Sequence, residues 1–143
     1  QICAQEAEAF AEVARNAGLG FTQEITKSVY VKGEEKALRE LVTIFLDNAV
    51  KYCDTDGSIS VHLTAEKHMA VFRICNSYAN GRNVDYDRFF ERFYRADESH
   101  NSKKSGYGIG LSIAKQIVEI LGGTLKAEWK DNTIQFVITL KAM

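Results

Sequence analysis

Between residues 35 and 53 an unbroken apolar stripe constrains what this chain can become. Leu38, Leu41, Val42, Phe45, Leu46, Ala49, Val50 and Cys53 recur at intervals of three and four, the period of one face of an α-helix. A stripe this regular must be buried against a sheet or another helix. Four later segments supply sheet. Ile59, Val61 and Leu63 alternate with Ser60, His62 and Thr64, and Ala70, Phe72, Ile74 and Asn76 share one parity of residues 69–76. Leu125, Ala127 and Trp129 alternate with Lys126, Glu128 and Lys130, and Ile134, Phe136, Ile138 and Leu140 alternate to the end. Each has the two-residue period of a half-buried strand. Asn76 ends the apolar face of its strand.

Two further helices flank this centre. One runs from Cys3 to about Ala17, rich in alanine and glutamate and stopped by Gly18; the other covers 109–121, with Ile109, Ile113, Ile117, Ile120 and Leu121 at helical spacing and Gly122 and Gly123 as its stop. Phe21 to Tyr30 reads as a strand, the string DTDG and the pair Asp131–Asn132 as turns, and the loop around Glu66 and Lys67 as the bend of a hairpin. Residues 77–107 lose periodicity apart from the stretch FFERFYRADES; about 30 residues is longer than an ordinary connection, and loops of that length are usually functional. The order predicts an α/β fold: a two-layer α/β sandwich, a mixed sheet of about five strands covered on one face by about three helices. At 143 residues the chain is one domain with one core.

Lysine plus arginine number 18 and aspartate plus glutamate 19, for a net charge of -1. No global field draws in nucleic acid or an acidic membrane, so any anion site is local. Cys3, Cys53 and Cys75 form no CxxC pair and suggest neither a disulfide framework nor a zinc site. No run of about 18 apolar residues and no basic-then-apolar leader is present, so no membrane contact is expected of this domain. The start at Gln1 is expected to mean a piece of something longer.

Three clusters carry possible chemistry. The string GYGIGL, residues 106–111, enters a helix from a polar loop. Glycines at 106, 108 and 110 permit close backbone approach, and a helix start offers unpaired N–H groups, a combination that holds phosphate. A glycine-rich turn is equally an ordinary tight connection; it is neither a P-loop nor a Rossmann fingerprint. Asn48, Lys51 and Tyr52 lie three and four residues apart and project from one helix face. Asparagine is disfavoured inside a helix, and its carbonyl oxygen suits magnesium, although a polar residue at the stripe edge would look the same. The third cluster is Phe89 to Arg95, with Arg92 and Arg95, followed by Lys103 and Lys104. Its arginines can meet phosphate through their planar fork or pair with the nearby acids, and its phenylalanines suit a small lid.

In this order, ELVTIFLDNAVKY, FFERFYRADES and GYGIGLSIAKQIVEILGG resemble the N box, F box and G2 box of the ATP-binding catalytic domain of sensor histidine kinases, within the Bergerat-fold group of gyrase, chaperone and mismatch-repair ATPases. The resemblance runs from about Ala4 to Leu140. It implies that Asn48 ligates Mg2+ bridging the phosphates of ATP, that Lys51 contacts phosphate, and that Tyr52 lies against the nucleotide. It places Gly106, Gly108, Gly110 and Leu111 around the β and γ phosphates, counts Tyr107 and Ile109 between them among the ATP-binding residues, and makes residues 81–105 the ATP lid. Arg92 and Arg95 would face the phosphates or the partner helices, and Lys103 and Lys104 would stand beside the nucleotide.

This chain departs from the family pattern at three places. The G1 box, usually DxGxG, reads NSYAN, with Asn76 for the adenine-binding aspartate and Tyr78 and Asn80 for glycines. An amide can still accept from the adenine amino group, with a loss of about 1 kcal/mol relative to a charged acceptor. Ile44 stands where ATPase relatives carry the glutamate that activates water, and Ile134 stands near where they place a threonine. Transfer to an imidazole nitrogen needs no such base.

The resemblance therefore implies a protein histidine kinase domain whose partners are the helical dimerisation and phosphoacceptor domain of the same kinase and a response-regulator receiver domain. His62, His68 and His100 all lack the helical context of a phosphoacceptor, which is expected on a hairpin preceding Gln1. The expected setting is a cytoplasmic domain of a membrane-anchored sensor. The alternatives are a degenerate nucleotide-binding or scaffolding module without phosphotransfer, suggested by the altered G1 box, and an ATPase of the chaperone or repair type, which Ile44 argues against.

Overall fold

The computed structural model of the chain describes residues 2–26, 29–79 and 109–142. Along the chain run α1 (Ile2–Asn16), β1 (Gly20–Ile25), α2 (Glu35–Tyr52), β2 (Ser58–Glu66), β3 (Met69–Ser77), α3 (Ile109–Ile120), β4 (Thr124–Lys130) and β5 (Thr133–Lys141). The strands form one five-stranded sheet in the order β1-β2-β3-β5-β4. β1 pairs with β2 in parallel and every other pairing is antiparallel. This is the two-layer α/β sandwich that the alternating patterns predict. Among the described residues, no helix is long and apolar enough to cross a membrane.

Register turns the sequence alternation into layers. Val61, Ile74, Phe136 and Ala127 form one row across four strands, and Leu63, Phe72, Ile138 and Leu125 the next. Leu41, Phe45, Leu46 and Ala49 of α2 are buried over these rows, so the stripe that opened the sequence reading finds its sheet. At the centre, the Phe45 and Phe136 rings lie 5.2 Å apart between centroids at a tilt of 50°. The opposite face of the sheet carries His62, Arg73, Gln135, Thr139 and Lys126, with Val71, Cys75 and Val137 among them, and is mainly polar.

α1 and α2 are joined by a polar seam as well as by packing. Arg39 donates from Nη1 to Glu6 Oε1 at 2.7 Å and from Nη2 to Gln5 Oε1 at 3.0 Å, and Thr43 Oγ1 donates to Glu6 Oε2 at 3.2 Å. Nothing in the helical periodicity of either segment points to this pairing.

Two details differ from the sequence reading. The first strand stops at Ile25 rather than continuing to Tyr30: Thr26 donates to the Leu63 carbonyl as the last bond alongside β2, and Val31 instead bridges Ala142 after β5. The β2–β3 bend is the pair Lys67–His68, with φ of 50° and 67°, a left-handed geometry like that of Asp131–Asn132 (52° and 62°) but without the asparagine that marks the latter. The paired glycines after α3 are explained by geometry. Gly122 sits at φ 75°, and a Cβ on Gly123 would lie 2.3 Å from the Thr139 carbonyl oxygen.

Because Phe45 is fully buried against Phe136, Phe45→Ala is expected to lower the unfolding free energy by about 3–5 kcal/mol in urea titration. A loss below about 1 kcal/mol would mean that this contact does not anchor the two layers.

Candidate functional site

The C-terminal half of α2, the end of β3 and the start of α3 bring the described candidate residues to one end of the sandwich. Helix α2 stops at Tyr52, Cys53 closes it by donating to the Ala49 carbonyl, and Asp54 then donates its N–H to the Ser77 carbonyl at 3.0 Å. That bond ties the end of the helix carrying Asn48, Lys51 and Tyr52 to the end of the strand carrying Asn76. The start of α3 joins from the side. A Cβ on Gly110 would stand 3.8 Å from Ile44 Cγ2, one helical turn before Asn48 on the same face of α2. The start of α3 therefore lies beside the turn of α2 that precedes Asn48.

Asn48 is half-buried, and its amide has no hydrogen-bond partner among the described residues. Lys51 Nζ lies 2.8 Å from Asp47 Oδ2 one turn earlier, with the two side chains 32% and 48% exposed. The ammonium is thus tethered to its own helix on a partly exposed side chain. Tyr52 is half-buried at the last helical position. Leu111 packs against the core, so what it can offer an anion is its backbone.

Asn76 is the buried polar residue among those described, at 2% exposure. It stands in register between Ile59 and Ile134 on the helix-facing side of the sheet. Its Nδ2 donates to the Ser77 carbonyl at 3.0 Å, and its Oδ1 meets no donor among the described residues. A buried acceptor without a donor costs free energy, which is recovered when a donor arrives. Ile134, in the position flagged by sequence as departing from ATPase relatives, is the direct neighbour of Asn76.

Sequence reasoning missed the residues that hold this end together. Ser77 Oγ accepts from the Ser58 N–H at 3.0 Å, Tyr78 N–H donates to the Asn132 carbonyl at 2.7 Å, Trp129 Nε1 donates to the Tyr78 carbonyl at 2.6 Å, and Ala79 N–H donates to Asp54 Oδ2 at 2.7 Å. In sequence, Trp129 is one alternating strand residue and Asp54 one turn residue. Their only signal is their type, the chain's single tryptophan and an acid in a turn. Gly57 in that turn is also required, since a Cβ there would lie 2.8 Å from both the Asp54 carbonyl oxygen and Ser77 Cβ.

Thiol chemistry finds no support. Burial pushes the Cys3 thiol up to about 11 and also raises Cys53 and Cys75, so all three favour the protonated, weakly nucleophilic form at neutral pH. His62 lies on the polar face opposite Arg73, and His68 lies in the β2–β3 bend, both away from the α2–α3 cleft. Arg92, Arg95, Lys103, Lys104, Gly106, Tyr107, Gly108, His100 and Asn80 lie outside the described residues, and of Ile109 the structure describes the backbone alone, at the first position of α3.

Comparison with known proteins bears on what this arrangement does. The family model for histidine kinase-, DNA gyrase B- and HSP90-like ATPases matches residues 33–142. The sensor protein CiaH of Streptococcus pneumoniae is 38% identical over 99 residues, covering 69% of this chain and 22% of CiaH. The chain thus spans less than a quarter of that relative. Among solved structures, the mycobacterial sensor histidine kinase MprB superposes with a TM-score of 0.81 at 25% identity, covering 99% of this chain and 93% of that one. Two more share the fold at lower identity. Full-length ShkA in complex with AMPPNP has a TM-score of 0.79 at 20% identity, covering 99% of this chain and 29% of its own. ThkA in complex with the response regulator protein TrrA has a TM-score of 0.79 at 17% identity, covering 99% and 40%.

The Lys51–Asp47 pair is exposed and lies within one helix, so Asp47→Asn is expected to change the unfolding free energy by less than about 0.5 kcal/mol. Urea titration checks this, and a loss above about 1.5 kcal/mol would show that Asp47 holds more than Lys51.

Proposed function

The chain belongs to the family of histidine kinase-, DNA gyrase B- and HSP90-like ATPases, and from that membership we propose that residues 1–143 are the catalytic domain of a two-component sensor kinase. The domain binds Mg-ATP and transfers the γ-phosphoryl group to a histidine on a separate helical dimerisation domain, with residues 81–105 as the lid over the nucleotide. A response-regulator receiver domain takes the phosphoryl group next. The parent is a membrane-anchored sensor with this domain on its cytoplasmic side.

The observation that carries this reading is the donorless oxygen of buried Asn76 at the end of the sandwich where α2 presents Asn48 and Lys51. Asn76 Oδ1 matches the exocyclic amino group of adenine, which donates and needs an acceptor. Asn48 offers a neutral carbonyl oxygen of the kind magnesium accepts in small number, with phosphate and water completing its shell. Bound there, the metal would neutralise charge on the phosphates.

The chain's own residues then position the reactants. Lys51 brings a cation to the phosphate end, and the N–H groups that begin α3 bring the positive end of a helix dipole. In the transfer, a histidine ring nitrogen of the partner domain forms a bond to the γ-phosphorus while the bond to the β–γ bridging oxygen breaks and ADP departs. Such a transfer relies on alignment and charge stabilisation more than on covalent chemistry by the protein. Ile44 has no group that could activate water at the turn before Asn48, which favours transfer over hydrolysis.

The altered G1 box favours one second reading, a nucleotide-binding module that senses or scaffolds without transfer. Both readings require Mg-ATP binding, so no heat of binding in calorimetry at millimolar nucleotide would sink them together; binding without autophosphorylation of the full-length parent would leave the second. Asn48→Ala is expected to abolish autophosphorylation of the full-length parent while leaving the fold intact by circular dichroism. Retained activity would remove Asn48 from the site. Asn76→Asp restores a charged acceptor and is expected to tighten ATP binding about fivefold; unchanged or weaker binding would mean that the base does not reach Asn76.

A further inference from the structure

We propose that Trp129, Asn132 and Asp54 are positioning residues that set base selectivity by fixing which end of the Asn76 amide faces the nucleotide. The inference rests on the nucleotide-binding reading above and concerns residues outside all of the motif boxes.

A peptide unit is a rigid plane, so holding its N–H fixes the direction of the C=O across from it. The Ser77–Tyr78 plane is held at both ends. Tyr78 N–H donates to the Asn132 carbonyl at 2.7 Å, and the Ser77 carbonyl accepts from Asp54 N–H and from Asn76 Nδ2, each at 3.0 Å. The Tyr78–Ala79 plane is held in the same way, its carbonyl by Trp129 Nε1 at 2.6 Å and its N–H by Asp54 Oδ2 at 2.7 Å. Two consecutive planes are thus clamped between the α2–β2 turn and the β4–β5 hairpin, in a segment that contains no glycine. Trp129 is well placed for this, because it pairs in register with Ile134, which pairs with Asn76.

The consequence falls on Asn76. Its Nδ2 is engaged by the fixed Ser77 carbonyl, so Oδ1 is the end left for a ligand. An amide free to turn could present either an acceptor or a donor pair, whereas this one presents an acceptor alone. An acceptor receives the 6-amino group of adenine and opposes the 6-oxo group of guanine. In a segment without its family's glycines, the selectivity that a carboxylate has by its chemistry is supplied here by backbone geometry.

The test uses this chain and the variants Trp129→Phe and Asp54→Asn, titrated by calorimetry with Mg-ATP and Mg-GTP. Wild type is expected to prefer ATP. Trp129→Phe keeps an aromatic ring but loses the indole N–H, and is expected to weaken ATP binding about fivefold, the equivalent of one hydrogen bond, with GTP affinity unchanged or raised. Asp54→Asn keeps an oxygen for the Ala79 N–H and is expected to retain the wild-type ATP-to-GTP ratio, whereas Asp54→Ala removes it and is expected to lower that ratio; an unchanged ratio in a folded Asp54→Ala protein would remove Asp54 from the clamp. Emission from the single tryptophan of wild type is expected to shift on adding ATP and not GTP. A folded Trp129→Phe protein with the wild-type ratio would overturn the proposal, leaving Trp129 a packing residue. Equal affinity of wild type for both nucleotides would also overturn it while sparing the nucleotide site, whereas binding of neither would overturn the underlying reading itself.

Discussion

Everything at the functional end of this molecule depends on burial of one helix face against one sheet. Leu41, Phe45, Leu46 and Ala49 of α2 cover the rows centred on Ile74 and Phe136, and the Phe45–Phe136 contact sits at the middle of that interface. Non-directional burial fixes the helix on the sheet, while interdigitated side chains fix its rotation about its own axis. Once that rotation is set, Asn48 and Lys51 have no choice of direction. The polar seam of Arg39 and Thr43 with Glu6 adds a directional constraint from the α1 side.

The price of the arrangement is a polar group inside an apolar layer. Asn76 takes a place between Ile59 and Ile134 that an aliphatic residue would fill without penalty. A neutral amide costs less to bury there than the carboxylate usual in the family, and it carries its own donor to engage the Ser77 carbonyl. Where the family usually carries a carboxylate, this chain thus has a neutral amide whose orientation comes from its surroundings. The tyrosine and alanine that follow it are compatible with that exchange because their peptide planes are tied on both sides rather than left free.

Much of the fold was legible because period and burial coincide. The three-four stripe of residues 35–53 and the alternation of 134–140 each admit one element type, and both appear with nearly the predicted bounds. Legibility failed where a choice depends on partners distant in sequence. Nothing local in residues 26–31 reveals that pairing leaves β2 after Leu63 and resumes at Ala142. The β2–β3 bend was read one residue early, around Glu66 and Lys67, because Lys67 and His68 carry no glycine or asparagine to mark the turn. Within the site, Asn48 and Asn76 were readable as polar residues at the margins of apolar patterns. Trp129 and Asp54 were not, since each acts through a hydrogen bond to backbone that is many residues away and has no side-chain identity to leave in the sequence.

The most direct measurement of the nucleotide site is a Mg-ATP titration of the isotopically labelled domain, followed by amide NMR. Binding at the end of the sandwich predicts shifts at the backbone amides of Asn48, Lys51, Ser77 and Gly110 and at the Asn76 side-chain amide, with His62, Arg73 and Lys126 on the polar sheet face unmoved. Shifts confined to that face, or no shift at Asn48 and Asn76 with ATP saturating, would contradict it.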